Sequence, residues 1–418
     1  MVKIKRVEAI EILDSRDHPT VEVSCELESG ILEKASVASG ASIGIHEAYE
    51  LRDHDEHRYN GLGVLKAVNN INTEIDEFLQ GKNFDQKTLD ESLIKLDGTE
   101  NKSRLGANAI LGVSLAFARA SAKDQKIELY EYLGNLSGNK IFKLPEPMLN
   151  VINGGKHSDS GIDLQEFVIA PIGFDTFHRK IQAGAEVISA LKKILEDKGY
   201  TISVGDEGGF APKLNSNEEA FILLTEAIKN AGYSFDEVKI GLDVGASTFY
   251  KNGLYHLKIS GEDESKTNIE MIEWYQKLVE EFPIIYIEDG LAEDDWDGFT
   301  EMNQRLGEKI KIIGDDLTVT NIKRIKTAVE KKAVNSVLIK LNQIGTLTET
   351  IEAINLTKEQ GWIPFISHRS GETEDTFIAD LAVGTSSEYI KAGSLIRGER
   401  VAKYNRLMEI ENILNKND

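Results

Sequence analysis

The sequence predicts an α/β protein in two parts, a short α+β region followed by a closed β/α barrel. Three observations lead there. Strand-like apolar runs and amphipathic helical stretches alternate from about residue 148 to residue 414. Three strand-like runs precede three helical ones within the first 124 residues. Charged residues that are costly to bury stand at the ends of several apolar strands.

Residues 4–12, 20–27 and 33–38 carry Val, Ile and Thr with alternating apolar positions. Asp14, Ser15, Asp17 and Pro19, then Ser29 and Gly30, separate them, which predicts a short antiparallel meander. Residues 62–80, 86–96 and 104–124 show helical spacing. The last is rich in Ala and Leu without Pro, as a buried helix would be. Strands segregated from helices indicate an α+β domain.

A loop with Pro145 and Pro147 opens the second part. Strands are predicted at 148–152, 166–170, 201–204, 239–243, 284–287, 310–314, 336–341, 363–367 and 389–391. Helices are predicted at 175–198, 217–231, 267–281, 321–331, 345–359, 374–383 and 399–414. Alternation at this spacing implies parallel strands with helical crossovers. About eight or nine strands in some 270 residues fit a closed barrel better than an open sheet.

The chain has 418 residues, with 48 Lys and Arg against 70 Asp and Glu, a formal net charge of −22. At 41% hydrophobic and 28% charged it has a globular composition. The acidic balance argues against a nucleic-acid or anionic-membrane surface, although metal ions can reverse the sign locally. Cys25 is the single cysteine, so the expected setting is reducing and intracellular, by default the cytoplasm. No stretch approaches the roughly 18 apolar residues of a membrane span, and the first ten residues hold no apolar signal core.

Chemistry gathers at the strand ends. Glu207 follows Thr-Ile-Ser-Val-Gly-Asp; Asp243, Glu288 and Asp315 each close an apolar run. Lys340 stands inside Ser-Val-Leu-Ile-Lys-Leu-Asn, His368 ends Ile-Pro-Phe-Ile-Ser-His, and Lys391 follows Tyr-Ile. Barrel strands present their C-terminal ends on one face, where such residues converge. Asp243, Glu288 and Asp315 are 45 and 27 residues apart, about one strand-plus-helix unit each. Hard carboxylate oxygens on successive strands suit Mg²⁺, though each acid could instead cap a helix or pair with an Arg. Lys340 is a candidate general base, since burial and a nearby cation lower an ammonium pKa. It could equally pair with Asp315 or Asp316, as Lys391 could with its neighbours, and either could form a Schiff base.

Gly40-Ala-Ser42-Ile-Gly44 fits G-x-S-x-G, yet the polar residues after it do not open a nucleophile-elbow helix. A mobile Gly-Ser lid is the better reading. Asn153-Gly-Gly-Lys-His157 and Gly205-Asp-Glu207-Gly-Gly are Gly-rich turns, and His157 alone could be a structural histidine. His368-Arg369-Ser370 offers donors for a phosphate or carboxylate. From its residues, the chain is a Mg²⁺-dependent barrel enzyme acting on a small anion.

Longer segments resemble the enolase family: Leu13-Asp-Ser-Arg16, Ser39-Gly-Ala-Ser42, Gly98-Thr-Glu-Asn-Lys-Ser103, Leu105-Gly-Ala-Asn-Ala-Ile110 and Asn150-Val-Ile-Asn-Gly-Gly155. Others are Leu164-Gln-Glu-Phe167, Gly205-Asp-Glu-Gly-Gly-Phe210, the stretch from Gly314 to Asn321, Asn342-Gln-Ile-Gly-Thr-Leu347, Ser367 to Asp375, and Glu399 to Asn405. The resemblance implies a C-terminal modified β/α (TIM-like) barrel, residues 140–418, under an N-terminal α+β capping domain with a mobile lid, residues 1–135. It implies reversible dehydration of 2-phospho-D-glycerate to phosphoenolpyruvate in glycolysis and gluconeogenesis. A Lys or His base with one or two Mg²⁺ ions is a general pattern of enolase-superfamily sites.

By the same resemblance, Lys340 is the base and Glu207 the acid for the departing hydroxyl, assisted by Glu166. Asp243, Glu288 and Asp315 are ligands of one Mg²⁺, and Ser42 of a second, substrate-dependent ion. His157, Gln165, Glu166, Lys340, His368, Arg369, Ser370 and Lys391 form the substrate shell, His157 also being a catalytic candidate. Arg369 and Ser370 face phosphate, and Lys391 the carboxylate end. A homodimer or higher homo-oligomer is implied. Asp17-His18, Ile43, Gly290, Thr248 and Leu395-Ile396 depart from the family pattern. Ile43 and Leu395-Ile396 motivate one alternative, a paralog acting on a phosphonate or 2-hydroxy acid; the resemblance itself leaves another, a non-catalytic surface or scaffold role.

Overall fold

The computed structural model describes residues 1–40, 44–155, 158, 160–259 and 261–417. β1 (Val2–Leu13), β2 (Pro19–Leu27) and β3 (Leu32–Ser36) form the predicted meander. β4 (Asn83–Phe84), too short to show a pattern, pairs with the start of β1. Beyond that pairing the β1 edge is met by side chains. Ala9 N donates to Asn72 Oδ1 (2.6 Å) and Val7 N to Asp76 Oδ1 (2.8 Å), so these edge groups are not left bare. Asn72 lies in a π-helical turn, Ile71–Ile75, that interrupts the helix expected over 62–80. The helix Ala107–Asp124 packs on β2 and β3 and is buried along most of its length, as its composition predicts. A Cβ on Gly112 would come within 2.4 Å of Val23 Cγ2, so glycine permits this close approach.

Eight strands close the barrel: β5 (Glu146–Asn153), β6 (Glu166–Pro171), β7 (Val238–Asp243), β11 (Ile284–Glu288), β12 (Lys311–Gly314), β13 (Ser336–Ile339), β14 (Ile363–Ser367) and β15 (Tyr389–Lys391). Between β7 and β11 comes an antiparallel three-stranded excursion, β8 (Tyr250–Lys251), β9 (Leu254–Ile259) and β10 (Glu262–Lys266), which the strand–helix alternation does not anticipate.

Two expectations are corrected. The barrel is not all parallel: β6 runs antiparallel to both β5 and β7. The link from Asn153 to Glu166 spans only residues 154–165, and a parallel return needs a crossover of a dozen or more residues, usually a full helix. Residues 201–204 are not a barrel strand. Their β-branched side chains are exposed, and Val204 makes only an isolated bridge to Phe210.

The reversal explains the layout. After β6 descends, the helix Phe177–Asp197 returns to the mouth, and Asn217–Asn230 leads back down to β7. The loop between these helices therefore reaches the mouth and carries Glu207 there without a strand beneath it. Phe210 N donates to Val151 O (2.9 Å) and Asn153 N to Phe210 O (2.8 Å), pinning the loop to β5.

Inside the barrel, Met148, Val168, Ala170, Tyr286, Ile313, Leu338, Phe365 and Tyr389 form one apolar layer below the mouth. Gly241 makes room for Tyr286; a Cβ there would lie 2.1 Å from its ring. This apolar layer is the floor on which the charged residues stand.

Candidate active site

The strand ends converge as expected. Glu166 and Asp243 are cross-strand partners, Asp243 and Glu288 likewise, and Ser367 pairs with Lys391. Glu166 begins its strand while the others end theirs, and the antiparallel β6 is what brings it to the same mouth. Gln165, Glu166, Glu207, Asp243, Asp315, Lys340, Ser367, His368, Arg369, Ser370 and Lys391 line one cavity. Ser42 and His157 lie outside the described residues.

Two ammonium groups organise the acids. Lys391 Nζ lies 2.8 Å from Asp243 Oδ2, 3.0 Å from Glu288 Oε2 and 3.2 Å from Glu166 Oε1. Lys340 Nζ donates to Asp315 Oδ2, and Gln343 Nε2 donates to Asp315 Oδ1 at 2.8 Å. Burial opposes both ammonium charges, but the adjoining carboxylates outweigh it and hold both pKa values above the ordinary lysine value. Burial alone would raise the Asp315 carboxyl; Lys340 outweighs it and holds Asp315 below its ordinary value. Glu288 is pushed well up, by burial and then by Asp243. Thus Lys340 is paired with Asp315 in this state, as one sequence reading allowed.

Glu207 is held by neutral donors. Asn150 Nδ2 donates to its Oε2 at 3.0 Å and Ser370 Oγ to its Oε1 at 3.1 Å. His368 Nε2 lies 3.7 Å from Oε2. Burial, followed by the charge of Glu207, pushes the Glu166 carboxyl well above its ordinary value. This pair therefore favours holding a proton, which suits an acid.

Arg369 pairs bidentately with Glu47, Nη1 to Oε2 at 2.8 Å and Nη2 to Oε1 at 3.2 Å, with both side chains buried. Asn342 Oδ1 also accepts from Nη1 at 3.3 Å. Ser39 and Gly371 form a two-way backbone bridge beside them. Asp14 accepts from Ser39 Oγ, and Arg16 Nη2 donates to Gly40 O at 3.0 Å. Ser15 N donates to Glu372 O at 2.8 Å and Glu372 N to Ser15 Oγ at 3.2 Å, so the Asp-Ser-Arg motif docks the N-terminal sheet onto the loop after β14. Asp289 accepts from the backbone N–H groups of Asp315 (2.9 Å) and Asp316 (2.8 Å), which sets where Asp315 points. Glu47, Asn150, Asp289, Asn342 and Gln343 carried no assigned role in the sequence reading, although Asn150, Asn342 and Gln343 stand in the quoted segments and Asp289 follows Glu288.

A family model described as the N-terminal domain of enolase matches residues 4–133. One described as the enolase C-terminal TIM barrel domain matches residues 141–418. The chain belongs to the enolase family. It is thereby an enzyme of the enolase superfamily, and the family implies a divalent metal and a small phosphorylated substrate.

The residues present fit such a metal. Glu166, Asp243, Glu288 and Asp315 set four carboxylates against two ammonium groups. The acids outnumber the ammonium groups, so added positive charge is favourable here. Their donors are hard oxygens, as Mg²⁺ prefers. Closely gathered donor sets among the described residues are Asp289 with Asp315 and Asp316, and Glu166 with Glu207 and His368. Among the described residues no helix is long and apolar enough to cross a membrane.

Proposed function

We propose that this enolase-family enzyme catalyses the Mg²⁺-dependent, reversible dehydration of 2-phospho-D-glycerate to phosphoenolpyruvate. One observation carries the reading. In the barrel order β13 and β6 are diametrically opposed, so Lys340 and the Glu166–Glu207 pair face each other across the cavity. A base and an acid on opposite sides suit removal of a proton and a hydroxyl from adjacent carbons.

Asp243, Glu288 and Asp315 would hold a Mg²⁺, with Ser42 on a second, substrate-dependent ion. Bound metal would supply positive charge to the substrate carboxylate as electron density moves into it. Asp315 is the anion that holds the Lys340 proton, so drawing that carboxylate toward a cation would leave Lys340 a more competent base. Lys340 then takes the proton on the carbon α to the carboxylate, and that C–H pair shifts into the carboxylate. Glu207, flanked by Glu166, gives its proton to the hydroxyl on the next carbon. The C–O bond breaks, water leaves, and the electron pair returns as the C=C bond.

Arg369 and Ser370 bind the phosphate, Lys391 the carboxylate end, and Gln165, His157 and His368 complete the shell. The same reading places the enzyme in the glycolytic and gluconeogenic direction, in the cytoplasm, as a homodimer or larger homo-oligomer, with residues 1–135 capping 140–418. The test is ultraviolet detection of the conjugated product from 2-phosphoglycerate with and without Mg²⁺. Chelator-sensitive turnover supports the proposal. A folded, Mg²⁺-loaded protein without turnover refutes it, and phosphonate and 2-hydroxy-acid substrates are then the ones to assay.

A further inference from the structure

Arg400 has no role in the reaction as described, yet it is fully buried behind the acid side of the cavity. It comes from the C-terminal helix, Gly398–Asn417. Its Nη1 lies 2.6 Å from His368 Nδ1 and donates to Arg369 O at 2.7 Å. Its Nη2 donates to Ser370 O (2.6 Å), Asp206 O (3.1 Å) and Ser15 Oγ (3.3 Å). One guanidinium thus holds the residue before Glu207, the loop carrying His368 to Ser370, and one histidine ring nitrogen.

A guanidinium has donors only. His368 Nδ1 must therefore be the acceptor, and a neutral ring then carries its proton on Nε2, the nitrogen that faces Glu207. Burial, helped by the nearby positive charges and opposed by the charge of Glu207, holds His368 well below the ordinary histidine pKa, so a neutral ring is consistent with its surroundings. At 3.7 Å the Nε2–H is beyond direct hydrogen-bond length from Glu207 Oε2. Its dipole still favours the carboxylate that remains once Glu207 has given up a proton.

We infer that Arg400 is a positioning residue that fixes His368 as the Nε2–H tautomer and presents that N–H, rather than a basic lone pair, to Glu207. The catalytic consequence rests on reading Glu207 as the acid; the tautomer does not.

The test uses the full-length chain labelled with ¹⁵N-histidine. Long-range proton–nitrogen correlation at neutral pH, assigned with His368→Gln, reads the ring directly. A neutral Nε2–H pattern for His368 is expected, and an Nδ1–H or doubly protonated ring overturns the inference. Arg400→Gln is the second arm. It should turn His368 into a tautomer mixture and slow dehydration about 10- to 100-fold, the usual cost of losing an outer-shell partner. Exchange of the α-proton should fall much less. Equal loss of exchange and dehydration would mean a structural role and would overturn the inference. If Arg400→Gln does not fold, the wild-type spectrum still decides. If the wild type fails to turn over 2-phosphoglycerate, the functional proposal fails while the tautomer remains readable.

Discussion

Lys391 Nζ lies 3.0 Å from Glu288 Oε2 in the barrel mouth, and neither side chain is more than 3% exposed. A buried carboxylate pair such as Asp243 and Glu288 is tolerable only because this ammonium lies against both.

Removing it should expose the need for a cation. Lys391→Met should cost about 3–5 kcal/mol of stability in chelator, the usual loss on breaking a buried ion pair. Saturating Mg²⁺ should return much of that loss, because a divalent ion neutralises the same acids. Chemical denaturation with and without Mg²⁺ measures both values. A deficit that Mg²⁺ leaves untouched would argue against a metal at these carboxylates.

Glu47 and Arg369 lead to a second prediction. Glu47→Ala leaves a buried guanidinium without its carboxylate and should destabilise the protein by about 3–5 kcal/mol. If Arg369 binds the substrate phosphate, inorganic phosphate should raise the melting temperature of this variant more than that of the wild type. Equal shifts in the two proteins would remove Arg369 from the phosphate site.

Asp90 makes a pH signature outside the site. It is buried, accepts from Thr348 N (2.9 Å) and Oγ1 (2.6 Å), and burial pushes its pKa from 3.8 to about 6. A carboxyl with a raised folded pKa adds stability below its unfolded pKa and loses that contribution as pH rises to the folded value. The wild type should therefore lose on the order of 3 kcal/mol from this group between about pH 4 and pH 6. Asp90→Asn should lack that component, so the two denaturation-versus-pH curves should differ in slope only in this window. Parallel curves would show that Asp90 is ionised without penalty.

Much of the site was legible because barrel strands end in the residues they present. Ile-Ile-Tyr-Ile-Glu288 and Ile-Pro-Phe-Ile-Ser-His368 carry both the strand and its functional end in one run. The exceptions have physical causes. Thr201 to Val204 has strand-like composition but bridges only to its own loop at Phe210, outside the barrel order, so composition misled. The reversal of β6 was readable in principle from the shortness and Gly-rich, polar sequence of the link 154–165. Glu47 and Arg369, 322 positions apart, meet only once the N-terminal sheet docks on the barrel, and no local pattern announces such a pair. Arg400 likewise reads as one more charge at the start of a helix. Its meaning lies in contacts with Ser15, Asp206 and His368, three separate segments.

The division of labour across the cavity is the central claim, and hydrogen exchange tests it most directly. The measurement is loss of the α-proton label from 2-phosphoglycerate beside phosphoenolpyruvate formation, in Mg²⁺, for Lys340→Ala and Glu207→Gln. Lys340→Ala should abolish both. Glu207→Gln should keep exchange while dehydration falls about 10²- to 10⁴-fold, the range general acid catalysis supplies. Equal loss of both activities in Glu207→Gln, or surviving exchange in Lys340→Ala, would contradict the account.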